Sequence, residues 1–172
     1  DNALASYGVQ ESDAYFNFFK AEKALVSKDN LAQMVNTTLK DKSCIKETFD
    51  LAWELPCFIG AFLDRERRGL DNTWIIKPTN LARSIDTWVC NNVDQIVRLM
   101  ETGPKIAQKY IERPLLYHGR KFDIRVLALI DDAKNLWLYK PCYLRTSSDP
   151  YTLSDNSKYI HLTSQKFLLR HL

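Results

Sequence analysis

The chain has 172 residues, 45% hydrophobic, 12% aromatic and 26% charged, which is too apolar for a disordered chain and ordinary for one compact domain. Its formal net charge is only +3, but residues 1–100 carry 12 basic and 14 acidic side chains while residues 101–172 carry 12 and 7. No run approaches ~18 uncharged apolar residues, so no helix is predicted to span a membrane, and the basic rear is either a solvated face or a surface for nucleotide phosphates, nucleic acid or acidic peptides.

The chain begins at Asp1 rather than Met, with no signal-peptide pattern, and is expected to be a piece of a longer protein. Residues 13–40 are rich in helix formers, with Phe16, Phe19, Leu25, Leu31 and Met34 among charged positions; two helical pieces are predicted, broken near Ser27–Asn30. Leu55-Pro56 opens a further helix with the apolar stripe Phe58, Ile59, Phe62 and Leu63. Arg65, Arg67 and Arg68 suit its C-terminal dipole, and Gly69 suits the stop. Trp74-Ile75-Ile76-Lys77-Pro78 reads as a short buried strand ended by proline. Val93, Ile96, Val97 and Met100 mark an amphipathic helix closed by Gly103-Pro104.

Lys105–Ile111 is a second strand candidate, and His118-Gly119 a turn. Phe122, Ile124, Val126, Ala128 and Ile130 recur at alternate positions, with Asp123 and Arg125 between the first of them, as one long half-polar strand. Leu136–Leu144 is expected to pair with it as a hairpin through Asp131–Asn135. The fold class predicted is α+β: helices first, then a mixed, largely antiparallel sheet.

Several chemistries find no support. Cys44, Cys57, Cys90 and Cys142 form no C-x-x-C pair, so reduced and mostly buried thiols of a cytoplasmic protein are expected rather than a zinc site or a disulfide framework. His118, His161 and His171 lack H-E-x-x-H spacing, and no G-x-S-x-G elbow is present. Two features stand out instead. Lys77 ends an apolar strand just before Pro78, which makes it either a surface lysine or a point charge for a phosphate. Lys121, Asp123 and Arg125 share one strand face, with Phe122 and Ile124 expected to enter the core. That face is either a salt-bridge ladder, worth ~0.2–1 kcal/mol per exposed pair, or the floor of a polyphosphate site.

The ordered combination is more specific than any of its parts. Strand-Lys77-Pro78, a loop, a helix, Gln108-Lys109-Tyr110-Ile111, Lys121-Phe122-Asp123-Ile124-Arg125 and His161-Leu162-Thr163 resembles the tubulin tyrosine ligase-like family over roughly Thr48 to Thr163. The resemblance implies an ATP-grasp fold, with residues 1–47 a helical lead-in and 48–172 a partial domain truncated before the family's magnesium ligands. It implies ATP and Mg2+ as cofactors, the metal ligands lying beyond Leu172. The implied reaction activates a carboxylate as an acyl phosphate and joins it to an amine on tubulin tails. Carried over residue by residue, Lys77 matches the lysine on the α/β-phosphates, and Gln108, Lys109 and Ile111 match the adenine hinge. Lys121, Asp123 and Arg125 match the phosphate and substrate floor, Arg145 a second substrate arginine, and His161 and Thr163 the ribose and phosphate side.

One loop departs from the family pattern. Relatives place Arg-Gly-x-Gly-Ile after the Lys-Pro, whereas here the stretch is Leu81-Ala82-Arg83-Ser84-Ile85, without either glycine. A left-handed backbone at a non-glycine costs on the order of 1–2 kcal/mol. Two readings therefore stand: the nucleotide-binding part of a tubulin-modifying ligase, or an inactive scaffold that docks tubulin or histone tails, cytoplasmic, cytoskeletal or nuclear. Nucleic-acid binding through Trp137, Tyr139, Lys140, Tyr143 and Arg145 is the remote third, since Trp137, Tyr139 and the other odd positions also alternate as an expected core face.

Overall fold

A computed structural model describes residues 23–41, 43, 45–82, 84–131 and 133–164. Phe16, Phe19, Cys44, Arg83 and His171 lie outside the described residues. The lead-in comprises α1 (Lys23–Val26) and α2 (Lys28–Thr38), interrupted at Ser27, whose extended backbone (φ −84°, ψ 130°) sits at the predicted break.

Strand β1 (Thr48–Asp50) runs directly into α3 (Leu51–Arg67). Asp50 accepts from the Ala52 N–H at 3.0 Å, and Glu54 accepts back from the Asp50 N–H at 2.8 Å, so two otherwise unpaired donors at the helix start are satisfied. Glu54 itself leaves helical geometry (φ −111°, ψ 16°), and the regular helix restarts at Leu55-Pro56. Proline is tolerated there because a first-turn N–H needs no helical partner. At the other end Gly69 adopts φ +61°, its N–H bonding Glu66 O and the Leu70 N–H bonding Arg65 O, the paired bonds of a Schellman stop.

Strands β2 (Trp74–Pro78) and β3 (Trp88–Cys90), helix α4 (Val93–Leu99) with a 3-10 turn (Met100–Thr102), and strand β4 (Lys105–Lys109) complete the main sheet. Its order is β1-β4-β2-β3, every pairing antiparallel. Directly opposed residues share a face, so the register sorts the side chains. Trp74, Ile76 and Pro78 oppose Lys109, Ala107 and Lys105; Ile75 and Lys77 oppose Gln108 and Ile106. The first set meets α3 and α4 in a core of Leu51, Phe58, Phe62, Trp74, Ile76, Cys90, Ile96 and Ala107. Phe58 and Trp74 stack edge to face at 5.0 Å, with Phe49 and Phe62 beside Phe58.

The rest of the chain forms β5 (Leu116–Tyr117), β6 (Arg120–Arg125), β7 (Ala128–Ile130), β8 (Leu136–Leu138), β9 (Tyr143–Thr146) and α5 (Lys158–His161). The two long strands expected over 122–130 and 136–144 are each broken. Strand β6 pairs with β9, and β7 with β8 through the expected Asp131–Asn135 turn. Pro141 has no N–H to donate and cannot continue a ladder, so the hairpin bends between its two halves, bridged by the Tyr139 N–H on Leu127 O at 2.9 Å. His118 (φ 48°) and Gly119 (φ 71°) make the β5–β6 turn.

Three expectations need correction. The sheet is not mixed: every described strand pair is antiparallel. Ile124, Trp137 and Tyr139 do not enter a core but stand exposed, and the β7–β8 half of the hairpin is exposed at every position among the described residues. Of the described cysteines Cys90 is buried, but Cys57 and Cys142 are exposed.

Two stability measurements follow from these contacts. Phe58→Ala should lower the unfolding free energy by about 3–5 kcal/mol in denaturant titration, since it empties the centre of the aromatic cluster. A Cβ at Gly69 meets no atom within 4 Å, so Gly69→Ala should incur backbone strain alone, about 1–2 kcal/mol.

Candidate functional site

The predicted site residues fall in three linked groups. The first is a row across β2, β4 and β1 on the face away from the aromatic core. Lys77 Nζ donates to Gln108 Oε1 at 2.7 Å, Gln108 Nε2 donates to Thr48 Oγ1 at 2.9 Å, and Thr48 Oγ1 donates to Lys46 O at 2.7 Å. Burial, aided by the charge of Lys28, holds the Lys77 ammonium below the ordinary lysine range. Lys28 comes from the first turn of α2 and donates to Pro78 O at 3.0 Å and Leu81 O at 2.6 Å. Its own pKa is lowered by burial, with Asp29 opposing.

Lys121, Tyr110 and His161 form the second group. Lys121 Nζ donates to the Tyr110 hydroxyl at 2.7 Å and lies 4.2 Å from the centre of its ring. That hydroxyl is 2.9 Å from His161 Nδ1, and His161 Nε2 is 2.8 Å from Asp155 O. Burial first, then the neighbouring Lys77, pushes the Lys121 pKa down to about 8, against the attraction of Asp123. Burial also raises the Tyr110 phenol, and burial together with the Lys121 charge keeps His161 low.

The third group is Asp123, Arg145 and Thr163. Asp123 and Arg145 are register partners on β6 and β9, and Arg145 donates through Nε and Nη2 at 2.7 Å each, a bidentate fork. The Thr163 hydroxyl donates to the same carboxylate. Burial works against ionisation of Asp123, but Arg145 and Thr163 outweigh it and its pKa stays low. On this strand face Asp123 is engaged in the cross-strand pair with Arg145, while Lys121 turns to Tyr110.

The remaining predicted residues stand differently. Lys109 is buried on the core face, donating to Thr73 O at 2.9 Å, Tyr110 O at 3.1 Å and Glu112 Oε1 at 2.8 Å. Its N–H bonds Glu47 O and the Tyr110 N–H bonds Thr73 O, so both of those donors are engaged within the sheet. Ile111 is exposed at the end of β4, and Arg125 exposed at the end of β6.

The loop between β2 and β3 is fastened at both ends. Besides Lys28 at its start, the Thr79 N–H bonds Pro104 O at 3.2 Å. At its end Asp86 accepts from Lys105 Nζ at 2.5 Å, Trp88 Nε1 at 2.9 Å and Thr102 Oγ1 at 3.2 Å. Ser84 (φ 59°) and Asp86 (φ 51°) are left-handed. Ser84, where the resemblance implies a family glycine, adopts the conformation that glycine takes freely. Tyr110, Lys28 and Asp86 carry no sequence signal of these roles: Tyr110 reads as one more strand residue, and Lys28 lies outside the resembling span.

Against this geometry, comparisons with known proteins bear on the whole assembly. The family model described as "Tubulin-tyrosine ligase family" matches residues 8–170. Tubulin–tyrosine ligase-like protein 12 of Mus musculus is 41% identical over 160 residues, 87% of this chain and 25% of the relative. The Homo sapiens protein of the same name is 39% identical over 152 residues, 83% of this chain and 24% of the relative. Tubulin glycylase 3B of Drosophila melanogaster is 33% identical over 159 residues, 83% of this chain and 21% of the relative. The chain spans about a quarter of the length of these curated relatives. With the family pattern matched along nearly its whole length, the chain belongs to the tubulin-tyrosine ligase family.

Proposed function

We propose that this chain is the nucleotide-binding part of an ATP-grasp ligase that joins an amino acid to tubulin tails. The observation that carries the reading is that Lys77 and Lys121 are each held by a neutral acceptor, Gln108 Oε1 and the Tyr110 hydroxyl at 2.7 Å, with Lys28 near Lys77 and Lys77 near Lys121, beside the Asp123–Arg145–Thr163 group. Crowded, half-buried cations of this kind are stabilised by an anion bearing several charges, and a triphosphate supplies them.

The fit differs between the two expected cofactors. For ATP, Lys77 and Lys121 would take phosphate oxygens, Gln108 would hold Lys77 in place, and Ile111 would offer an exposed apolar side chain to the base. Bound ATP would supply the phosphoryl group that activates a carboxylate. For Mg2+ the described residues do not fit. Among them no three His, Cys, Asp or Glu side chains converge, and Asp123 is committed to Arg145 and Thr163.

A second reading is favoured by the loop. Ala82 and Ser84 stand at the family glycine positions, and the loop is tied at both ends by Lys28 and Asp86. Such a loop suits a non-catalytic module that uses the same cationic cluster to dock acidic tubulin tails.

Calorimetric titration of the full-length protein with ATP should give saturable binding, and Lys77→Ala should weaken it at least tenfold; no heat at millimolar ATP would sink the nucleotide reading. Because Lys121 loses its proton near pH 8, affinity for tripolyphosphate should be full below that pH and fall as pH rises through it. Lys121→Arg should flatten this dependence, and an unchanged slope would assign it to another group. Incorporation of radiolabelled amino acid into tubulin separates the readings. A ligase transfers label and loses transfer with Lys77→Ala, whereas a docking module incorporates none yet still binds the tails.

A further inference from the structure

One buried hydroxyl joins two of the residues just discussed. Tyr110 is 5% exposed at the end of β4, where the chain leaves the main sheet, and His161 is 2% exposed on α5. The proton positions along Lys121–Tyr110–His161–Asp155 follow from the chemistry of each group. An ammonium only donates, so the phenol oxygen accepts from Lys121 at 2.7 Å and its own proton faces His161 Nδ1 at 2.9 Å, with the hydroxyl oxygen of Tyr151 as a second acceptor beside it. The Asp155 carbonyl only accepts, so Nε2 carries the imidazole proton, at 2.8 Å. Nδ1 is then the lone-pair nitrogen that the phenol needs. With Lys121 charged, the links at Tyr110 and Asp155 are together satisfied by a neutral histidine protonated at Nε2.

We propose that Tyr110 is a positioning residue of the anion site, its hydroxyl holding the Lys121 ammonium at the cluster and locking His161 as the neutral Nε2–H tautomer. The proposal rests on the anion-site reading above. The groups facing this hydroxyl come from every side. Lys77 lies on β2, Asp123 beside Lys121 on β6, and His161 on α5. Tyr151 follows β9, its hydroxyl donating to Glu112 O at 2.7 Å and its ring edge-on to His161 at 5.6 Å. Two cations and a neutral imidazole therefore meet around Tyr110. The phenol is the one group there that accepts from the lysine while donating to the histidine. Phenylalanine would preserve the ring, including its cation–π contact with Lys121, and remove only that double role.

The decisive measurement starts on unmodified full-length protein labelled with 15N-histidine, without ligand. Long-range 1H–15N spectra should show His161 as the Nε2–H tautomer throughout pH 6–8. An Nδ1–H tautomer, or an imidazole that titrates in that range, overturns the proposal, and this readout stands even if no variant folds. Tyr110→Phe, checked for an unchanged circular dichroism spectrum, should release the tautomer into exchange. It should also weaken tripolyphosphate binding about tenfold, the loss expected for one hydrogen bond to a charged group, and shift the pH midpoint of binding. A folded Tyr110→Phe variant with unaltered affinity and midpoint overturns the proposal while leaving the anion site intact. Failure of the unmodified protein to bind tripolyphosphate or ATP overturns the anion-site reading itself, and with it the role given to Tyr110.

Discussion

The seating of β4 between β1 and β2 is the constraint on which the rest depends. Its five residues alternate faces, and its neighbours fix which face is which. Ala107 goes to the aromatic core, flanked by Lys105 and Lys109, two buried lysines that need partners because an isolated buried charge is prohibitively unfavourable. Asp86 serves Lys105 and Glu112 serves Lys109. Each of those carboxylates belongs to a connecting segment, so the two ion pairs also fix the loop before β3 and the turn after β4. A one-residue slip of β4 would exchange Gln108 for a lysine opposite Ile75 and break every one of these contacts.

The opposite face inherits what the register leaves there. Gln108 lies between Thr48 and Lys77, giving the lysine a neutral acceptor rather than a counter-ion. The same holds one step further on: Lys121 is held by a phenol, not a carboxylate. Asp123, the carboxylate nearest Lys121 along β6, is drawn off by Arg145 across the strand pair. Carboxylates thus hydrogen-bond the core-face lysines and Arg145, while Lys77 and Lys121 hydrogen-bond neutral acceptors. A stability-driven arrangement would pair Lys77 and Lys121 with carboxylates; leaving them on neutral acceptors favours a transient anion.

Much of this was legible in the sequence, for identifiable reasons. The strand at Trp74–Pro78, the helix restart at Leu55-Pro56 and the stop at Gly69 are set by local chemistry: apolar alternation, a proline in a first turn, a glycine at a left-handed position. The ordered lysines, Asp123 and the His-Leu-Thr segment identify the family without a structure. What escaped depends on contacts between distant segments. Strands β1 and β3 have three residues each, too short for a period to show, and exist because β4 and β2 pair with them. The break in the long hairpin combines Pro141 on one strand with the interruption at Val126–Leu127 on the other. Lys28 acts on a loop fifty residues away, and Tyr110 acts through His161, fifty-one residues downstream.

The loop after β2 shows how a substitution that looks disabling in sequence can be absorbed. Loss of the family glycines suggests that the left-handed conformation is lost with them, yet Ser84 retains it, and Asp86 adopts it as well. Strained residues persist only where surrounding contacts over-determine them. Asp86 accepts from three side chains, one of them a fully buried lysine, and Lys28 grips two carbonyls at the loop's other end. Glycine would make such a loop free to open and close. Asp86, held in that conformation by its three donors, fixes the end of the loop. The loop is anchored at its start by Lys28 and at its end by Asp86, and such anchorage bears on closure over a substrate more than on binding an anion.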